Sequence, residues 1–259
     1  MKIETSGAEI HLREQGEGDP LVLIHGLGMS GALWRNQVDL FSENFRTIAV
    51  DLRGFGESSR PAETGSYAID RLAEDIADVA RALELPPCHV LGTSMGGFVA
   101  QALALAHPEV CRSLLLCHTG PRMSIPPDVL AARIDALRTK PLEEYAELVI
   151  GQALAPGASP ELVAWVRDMI VRNDKRAYTQ VLTEGLSAFD LSHRVAEISA
   201  PTLVVIGELD GVIPPEEGRE LAREIPGAIL VEIAGVGHLG YAEKPAAFNE
   251  AILRFLRSL

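Results

Sequence analysis

Aromatic residues and cysteines are scarce in this chain. Aromatic side chains make up 5% of its 259 residues while 47% of the residues are hydrophobic, so the apolar content is mostly aliphatic. That balance favours a sheet covered by helices over an all-β sandwich. The three cysteines, Cys88, Cys111 and Cys117, lie in apolar stretches and form no CxxC pair. We therefore expect buried thiols and neither a disulfide framework nor a zinc site.

Long apolar runs and an excess of positive charge are also missing. No stretch reaches the roughly 20 apolar residues that a membrane-spanning helix needs, and the opening MKIETSGAEIHLREQ has no apolar signal-peptide core. The formal net charge of −13 argues against nucleic acid or an anionic membrane as a partner. These absences predict a cytoplasmic protein, and no motif implies a metal or an organic cofactor.

Buried strands alternate with helical patterns over the first half of the chain. A hairpin around Ser6-Gly7 is followed by an unbroken apolar run at 20–26 and by further predicted buried strands at 46–51, 88–93 and 112–119. Apolar residues at helical spacing fill 31–42 and 69–83, and a helix rich in small residues follows the third run. Short strand-helix-strand crossovers of this kind imply a parallel sheet.

The alternation stops at residue 120. Residues 120–190 show helical patterns and no buried strand, and Ser159-Pro160-Glu161 is typical of a helix start. Strands resume at 201–210 and 228–238, and an amphipathic helix closes the chain. The sequence predicts an α/β core domain, residues 1–119 and 191–259, interrupted by a helical cap insertion, residues 120–190.

A serine stands between glycines in the stretch LGTSMGGF, residues 91–98. The stretch lacks the lysine of a phosphate-binding loop and the glycine spacing of a dinucleotide fingerprint. It matches G-x-S-x-G between a strand and a helix, where a strained turn exposes the serine hydroxyl and leaves no room for side chains at Gly92 and Gly96. Ser94 is therefore a candidate nucleophile, and the alternative is a structural glycine turn with an incidental serine.

A serine hydroxyl needs a base, and His238 is the best placed of the seven histidines. It lies in the glycine-rich loop AGVGHLGYAEKP, between a predicted strand and the last helix. Asp210 follows another buried strand in VVIGELDGVIPP and is the candidate acid that orients the imidazole, with Glu208 close by. The order Ser94, Asp210, His238 is typical of a nucleophile-elbow hydrolase. The alternative is that Asp210 or Glu208 only caps its loop by hydrogen bonds.

The loop HGLGMS after the first buried strand is a candidate oxyanion-hole loop. We expect the backbone N–H groups of Leu27 and Met95 to bind the developing oxyanion, each contributing roughly 3 kcal/mol to transition-state stabilisation. His25, in the same loop, is expected to support the glycine turn rather than to act as a base.

Residues that touch the substrate are harder to choose from the sequence. The candidates are His118, at the end of a predicted strand, and three cap residues, Met123, Trp165 and Met169, with Tyr178 near them. Aromatic residues and methionines at helical spacing are more often plain core, and a satisfied buried histidine is the favoured interpretation of His118. Arg122 and Arg133 are candidates to meet a substrate carboxylate, but surface solvation is the favoured interpretation for both.

Five sequence blocks together resemble the α/β-hydrolase family, on its serine-hydrolase branch. HGLG, DLRGFGESSRP, GTSMGGFVAQALALAHPE, GELD and GHLGYAEKP occur in family order and span nearly the whole chain from residue 20. The resemblance implies a mostly parallel eight-stranded sheet flanked by helices, with a small helical cap over the site. It also implies Ser94 as nucleophile, His238 as base, Asp210 as orienting acid, and Leu27 and Met95 as oxyanion donors. The sequence looks most similar to 3-oxoadipate enol-lactonase-like hydrolases and small carboxylesterases.

The expected activity is hydrolysis of a small carboxylic ester or lactone through an acyl-enzyme. Two alternatives stay open: a C–C bond hydrolase of ring-cleavage products, and a non-catalytic ligand receptor on the same scaffold. Turnover of a simple ester separates the receptor from the enzyme, and faster cleavage of dienone-type substrates than of esters identifies the C–C hydrolase.

Overall fold

Eight strands form one sheet in the computed structural model, which describes residues 1–187 and 189–259. In chain order they are β1 (Lys2–Thr5), β2 (Ala8–Gln15), β3 (Pro20–Ile24), β4 (Arg46–Val50), β5 (Cys88–Thr93), β6 (Cys111–Cys117), β7 (Thr202–Gly207) and β8 (Ile229–Ile233). Their order across the sheet is β1-β2-β4-β3-β5-β6-β7-β8. Strand β2 pairs antiparallel with β1 and β4, and the other pairs are parallel. The predicted mostly parallel eight-stranded sheet is confirmed.

Helices flank the sheet and fill the interval between β6 and β7. They are α1 (Val38–Phe41), α2 (Ile69–Ala82), α3 (Met95–Ala106), α4 (Pro127–Thr139), α5 (Leu142–Ala153), α6 (Pro160–Val171), α7 (Lys175–Gln180), α8 (Pro215–Glu224), α9 (Gly240–Glu243) and α10 (Pro245–Leu256). The helix predicted over 31–42 is instead a 3₁₀ turn, Gly31–Asn36, followed by α1, because Trp34 leaves the helical backbone at φ −80° and ψ 16°. Among the helices described, none combines the length and the apolar character needed to cross a membrane.

The inner strands are buried on both faces, as expected where helices cover a parallel sheet. Every residue of β3, β5 and β7 is buried. A polar pair inside the sheet, His89 Nδ1 and Ser113 Oγ, is satisfied by a 2.7 Å hydrogen bond. The three cysteines lie in β5 and β6 and are free and buried, as predicted. Burial raises the pKa of Cys88 and Cys111 to about 12, so these thiols are unreactive at neutral pH.

Residues 120–190, called the cap segment below, contain α4 to α7 and a π-helical turn, Val181–Leu186. The ends of the segment meet where Arg122 forms a β-bridge with Asp190. The segment also touches the loops that follow the strands, since Asn173 Nδ2 donates to the Gly28 carbonyl at 2.8 Å. This helical content agrees with the expectation, and the division of the chain into core and cap domains stays a prediction.

Candidate active site

Ser94 occupies a strained turn between the end of β5 and the start of α3. Its backbone has φ 54° and ψ −121°, a conformation that residues with a side chain rarely adopt. Glycines make this turn possible, because a Cβ on Gly92 would overlap the Gly96 carbonyl and a Cβ on Gly96 would overlap the Ile24 carbonyl. The turn holds Ser94 in the wall of a cavity. The glycines therefore serve the geometry of one hydroxyl-bearing residue.

Asp210 and His238 form a buried pair in the loops after β7 and β8. The distance between His238 Nδ1 and Asp210 Oδ2 is 2.8 Å, and Asp210 Oδ1 accepts hydrogen bonds from the N–H groups of Val212 and Ile213 at 2.8 and 2.9 Å. With the Nδ1 proton donated to the carboxylate, the Nε2 atom of neutral His238 has a free lone pair and can accept a proton.

The Asp210 carboxyl is held in its ionised form. Burial alone raises its pKa, but the interactions with His238 and His118 outweigh that effect and hold the pKa well below its ordinary value. Ionised Asp210 stabilises positive charge on the imidazole when His238 accepts a proton. His238 and Ser94 line the same cavity. No hydrogen bond joins them among the described residues, and such bonds often tighten only when substrate is bound.

The loop that carries His238 is fixed on both sides by Glu243. The Glu243 carboxylate accepts hydrogen bonds from the N–H groups of Gly237 and Leu239 at 3.0 and 3.1 Å, and from Ala155 in the cap segment at 2.8 Å. The His238 N–H itself donates to the Ala153 carbonyl at the end of α5, at 2.7 Å. Glu243 is not among the residues predicted from the sequence, although its position five residues after the histidine, just before a Lys-Pro helix start, is a usable signal.

The loop after β3 runs directly beside the serine. A Cβ on Gly26 would lie 3.2 Å from Ser94 Cβ, so only glycine fits this approach without displacement. Leu27 and Met95 both line the cavity, and neither N–H takes part in a hydrogen bond within the described part of the chain. Met95 is the first residue of α3, where N–H groups have no partner within the helix. Two free donors therefore flank Ser94, which fits the predicted oxyanion hole.

His25 supports the turn at Gly26, as the sequence analysis expected. Its Nδ1–H donates to the Gly26 carbonyl at 2.8 Å, and the Leu52 N–H donates to its Nε2 at 2.9 Å. Burial lowers the pKa of His25, so the ring is neutral near pH 7. Both ring nitrogens are engaged, and His25 has no lone pair to offer as a base.

His118 is not among the cavity-lining residues that the structure describes, which favours its alternative interpretation as a buried histidine. The residue follows β6 with a left-handed backbone, φ 48°, which turns the fully buried ring toward the acid. Its Nδ1 lies 3.7 Å from Asp210 Oδ2, and its ring stacks on Phe248. A Cβ on Gly240 would approach His118 Nε2 to 2.7 Å, so glycine is required there. The ring packs behind the pair of Asp210 and His238.

The cavity in front of Ser94 has a volume of about 80 Å³ and mostly apolar walls. Of the predicted cap contacts, Met123 and Tyr178 line it, whereas Trp165 and Met169 do not appear among the lining residues that the structure describes. The neighbouring residue Val166 lines it instead. The remaining lining residues from the cap segment are Ile125, Arg133, Tyr145, Val149, Ala153, Leu182 and Leu186.

The phase of α6 explains why Trp165 and Met169 are not among the described lining residues. These two residues are four apart, so they share one face of the helix, and both are only half-buried. Val166 and Ile170 form the buried face. The Arg35 guanidinium covers the Trp165 ring at 4.2 Å from its centroid. Helical phase, and not side-chain size, decides which residues of α6 face the cavity.

Comparisons with known proteins agree with this arrangement. Residues 19–245 match the family described as the alpha/beta hydrolase fold. A pimeloyl-[acyl-carrier protein] methyl ester esterase from Aeromonas hydrophila is 31% identical over 93% of this chain and 96% of its own length. A 2-hydroxy-6-oxononadienedioate/2-hydroxy-6-oxononatrienedioate hydrolase from Burkholderia vietnamiensis is 33% identical over 96% of this chain and 91% of its own length.

A solved structure extends the agreement to three dimensions. The crystal structure of the enol-lactonase from Burkholderia xenovorans LB400 superposes with a TM-score of 0.93 at 31% identity, covering 99% of this chain and all of that one. The strained serine turn and the loops after β7 and β8 lie within residues 19–245, the region that matches the family. The chain belongs to the α/β-hydrolase fold family.

Proposed function

We propose that the protein is a serine hydrolase that cleaves a small carboxylic ester or lactone through an acyl-enzyme. One observation carries the proposal: Ser94, on a strained turn, shares a cavity with His238, whose other ring nitrogen is bound to Asp210. The relatives support the same chemistry, since one is named a methyl ester esterase and one solved structure is named an enol-lactonase.

In the proposed reaction the substrate carbonyl lies between Ser94 Oγ and the N–H groups of Leu27 and Met95. His238 Nε2 takes the Ser94 proton as Oγ bonds to the carbonyl carbon, and the C=O electron pair moves to oxygen. The two N–H groups stabilise that oxyanion, and Asp210 stabilises the imidazolium. His238 then returns the proton to the departing alkoxide as the C–O bond breaks.

The second half of the reaction releases the acid. His238 removes a proton from water, the resulting hydroxide attacks the acyl carbon, and Ser94 leaves with its proton restored. For a lactone, the alcohol and the acid stay on one product molecule. The small apolar cavity favours short acyl groups over long chains.

The test measures initial rates on p-nitrophenyl esters from acetate to octanoate and on a set of small lactones. Ser94→Ala should lower kcat by at least about 10⁴-fold without loss of fold, since residual catalysis comes only from the oxyanion hole and binding. Ser258→Ala, at the exposed end of α10, is the control and should behave as the wild type. Equal rates for wild type and Ser94→Ala would contradict the serine mechanism. Absence of wild-type turnover would favour the C–C hydrolase or the ligand receptor.

A further inference from the structure

The cavity carries one permanent charge, although the protein as a whole is strongly acidic. The chain has 36 Asp and Glu against 23 Lys and Arg. Among the described residues that line the cavity there is no Asp or Glu, and the one Lys or Arg is Arg133. In a chain of this composition, a surface patch sampled at random would hold more acids than bases. The cavity therefore differs in sign from the rest of the protein.

Arg133 has no carboxylate partner in the described part of the chain. Its guanidinium, which projects from α4, donates to the side-chain oxygen of Gln152 at the end of α5. Two other arginines of the cap segment form ion pairs, Arg122 with Glu217 and Glu220 and Arg167 with Glu147, but neither of them lines the cavity. A guanidinium has five N–H donors in a planar fork, so one hydrogen bond to an amide leaves most of them available.

Arg133 lines the same cavity as Tyr145 and Tyr178, and its positive charge acts on both phenols. Burial raises the pKa of both phenols, and the guanidinium charge opposes that effect at each of them. The side chain is only half-buried, so it borders both the cavity and solvent. A cation that is partly withdrawn from water beside apolar side chains loses solvation that a bound anion restores.

We propose that Arg133 binds a carboxylate of the substrate, and that the substrates are esters or lactones bearing a carboxylate at the end away from the bond that is cleaved. The inference rests on the proposed function, because Ser94 fixes the position of the reacting carbonyl. Met123, Ile125 and Val149 supply apolar walls in the same cavity, which suit a short hydrocarbon chain between the two polar ends. Arginine suits this role better than lysine, because its fork pairs with both oxygens of a carboxylate.

The kinetic test compares mono-p-nitrophenyl adipate, which carries a free carboxylate, with p-nitrophenyl hexanoate, which has the same chain length and none. Arg133→Met should lower the ratio of kcat/KM for the two esters, adipate over hexanoate, on the order of 100-fold, mostly through KM. Arg133→Lys should lose less of that ratio. Arg138→Met, on the exposed face of the same helix, removes the same charge and should leave the ratio unchanged. An unchanged ratio in Arg133→Met would overturn the proposal.

A binding test separates this proposal from the proposed function. Hexanoate anion, titrated calorimetrically into Ser94→Ala, should bind, and its affinity should fall at least about tenfold when Arg133→Met is added. If wild type cleaves no ester but hexanoate binding still depends on Arg133, the hydrolase proposal fails and the carboxylate site stands. Equal hexanoate affinity with and without Arg133 would overturn the carboxylate site, whatever the turnover of esters.

Discussion

The two walls of the cavity are built in different ways. At the strand-end loops, a Cβ on Gly92 or Gly96 would overlap a backbone carbonyl, and a Cβ on Gly26, which lines the cavity, would lie 3.2 Å from Ser94 Cβ. On the wall formed by the cap segment, the lining consists of ordinary packed side chains, and Gly151, on the exposed face of α5, has no atom within 4 Å of a Cβ position. In the proposed function, the chemistry thus depends on positions that tolerate few residues, whereas the specificity depends on side chains that many sequences supply.

The largest expected effect falls on the strand-end wall. Asp210→Asn should lower kcat about 10⁴-fold with little change in KM, because the amide no longer holds the imidazole in the productive tautomer. Steady-state kinetics on the best ester measures it. Glu208→Gln is the matched control: Glu208 is exposed and caps the Gly235 N–H at 2.7 Å, so kcat should change only a few-fold. A larger loss of kcat in Glu208→Gln than in Asp210→Asn would contradict Asp210 as the acid and favour Glu208.

A pair of glycine substitutions tests the backbone contrast itself. In Gly96→Ala the new methyl overlaps the Ile24 carbonyl and crowds the His25 carbonyl, so the free energy of unfolding should fall by about 3 kcal/mol or more. Gly151→Ala enters open space in a helix and should raise it by roughly 0.5 to 1 kcal/mol. Urea unfolding of both variants measures the difference. Similar free energies of unfolding for Gly96→Ala and Gly151→Ala would contradict the tighter packing of the strand-end loops.

A smaller effect is expected on the stability of the protein in acid, where the ionised Asp210 carboxylate takes up a proton. Because the folded-state pKa of Asp210 is below the ordinary 3.8, its contribution to stability is complete above that value and is lost as the pH falls below it. Between pH 5 and pH 3, the wild type should therefore lose about 1 kcal/mol more of its free energy of unfolding than Asp210→Asn. Urea titrations at each pH measure the loss. Parallel losses in both proteins would contradict a depressed pKa.

The smallest effect is expected on the cap wall. Val166→Ala widens the cavity and should raise the relative kcat/KM for longer acyl esters by a few-fold, within the range that one or two methylenes control. Trp165→Leu, at the adjacent position outside the cavity, should leave the chain-length preference unchanged. The p-nitrophenyl ester series measures both variants. A changed chain-length preference in Trp165→Leu, with none in Val166→Ala, would contradict the placement of Val166 on the cavity face of α6.

The same contrast explains what the sequence could predict. Ser94, Asp210 and His238 stand at the ends of strongly apolar strands among required glycines, so a local pattern placed them at one edge of the sheet. The position of His118 depends on a left-handed turn and on packing against Phe248, which no local pattern encodes. Arg133 looked like a surface residue because its helix is mostly exposed, and only the folded cap segment places it in the cavity wall.

The most direct test of the central claim is covalent labelling with diethyl p-nitrophenyl phosphate, followed by peptide mass mapping. Oγ of an activated serine attacks phosphorus and expels p-nitrophenolate, leaving a diethylphosphoryl ester on the serine. We expect one equivalent of p-nitrophenolate per chain, loss of ester turnover in parallel, and the label on the peptide that contains Ser94, with no label in Ser94→Ala. Labelling at another residue, or full ester turnover after labelling, would contradict Ser94 as the nucleophile.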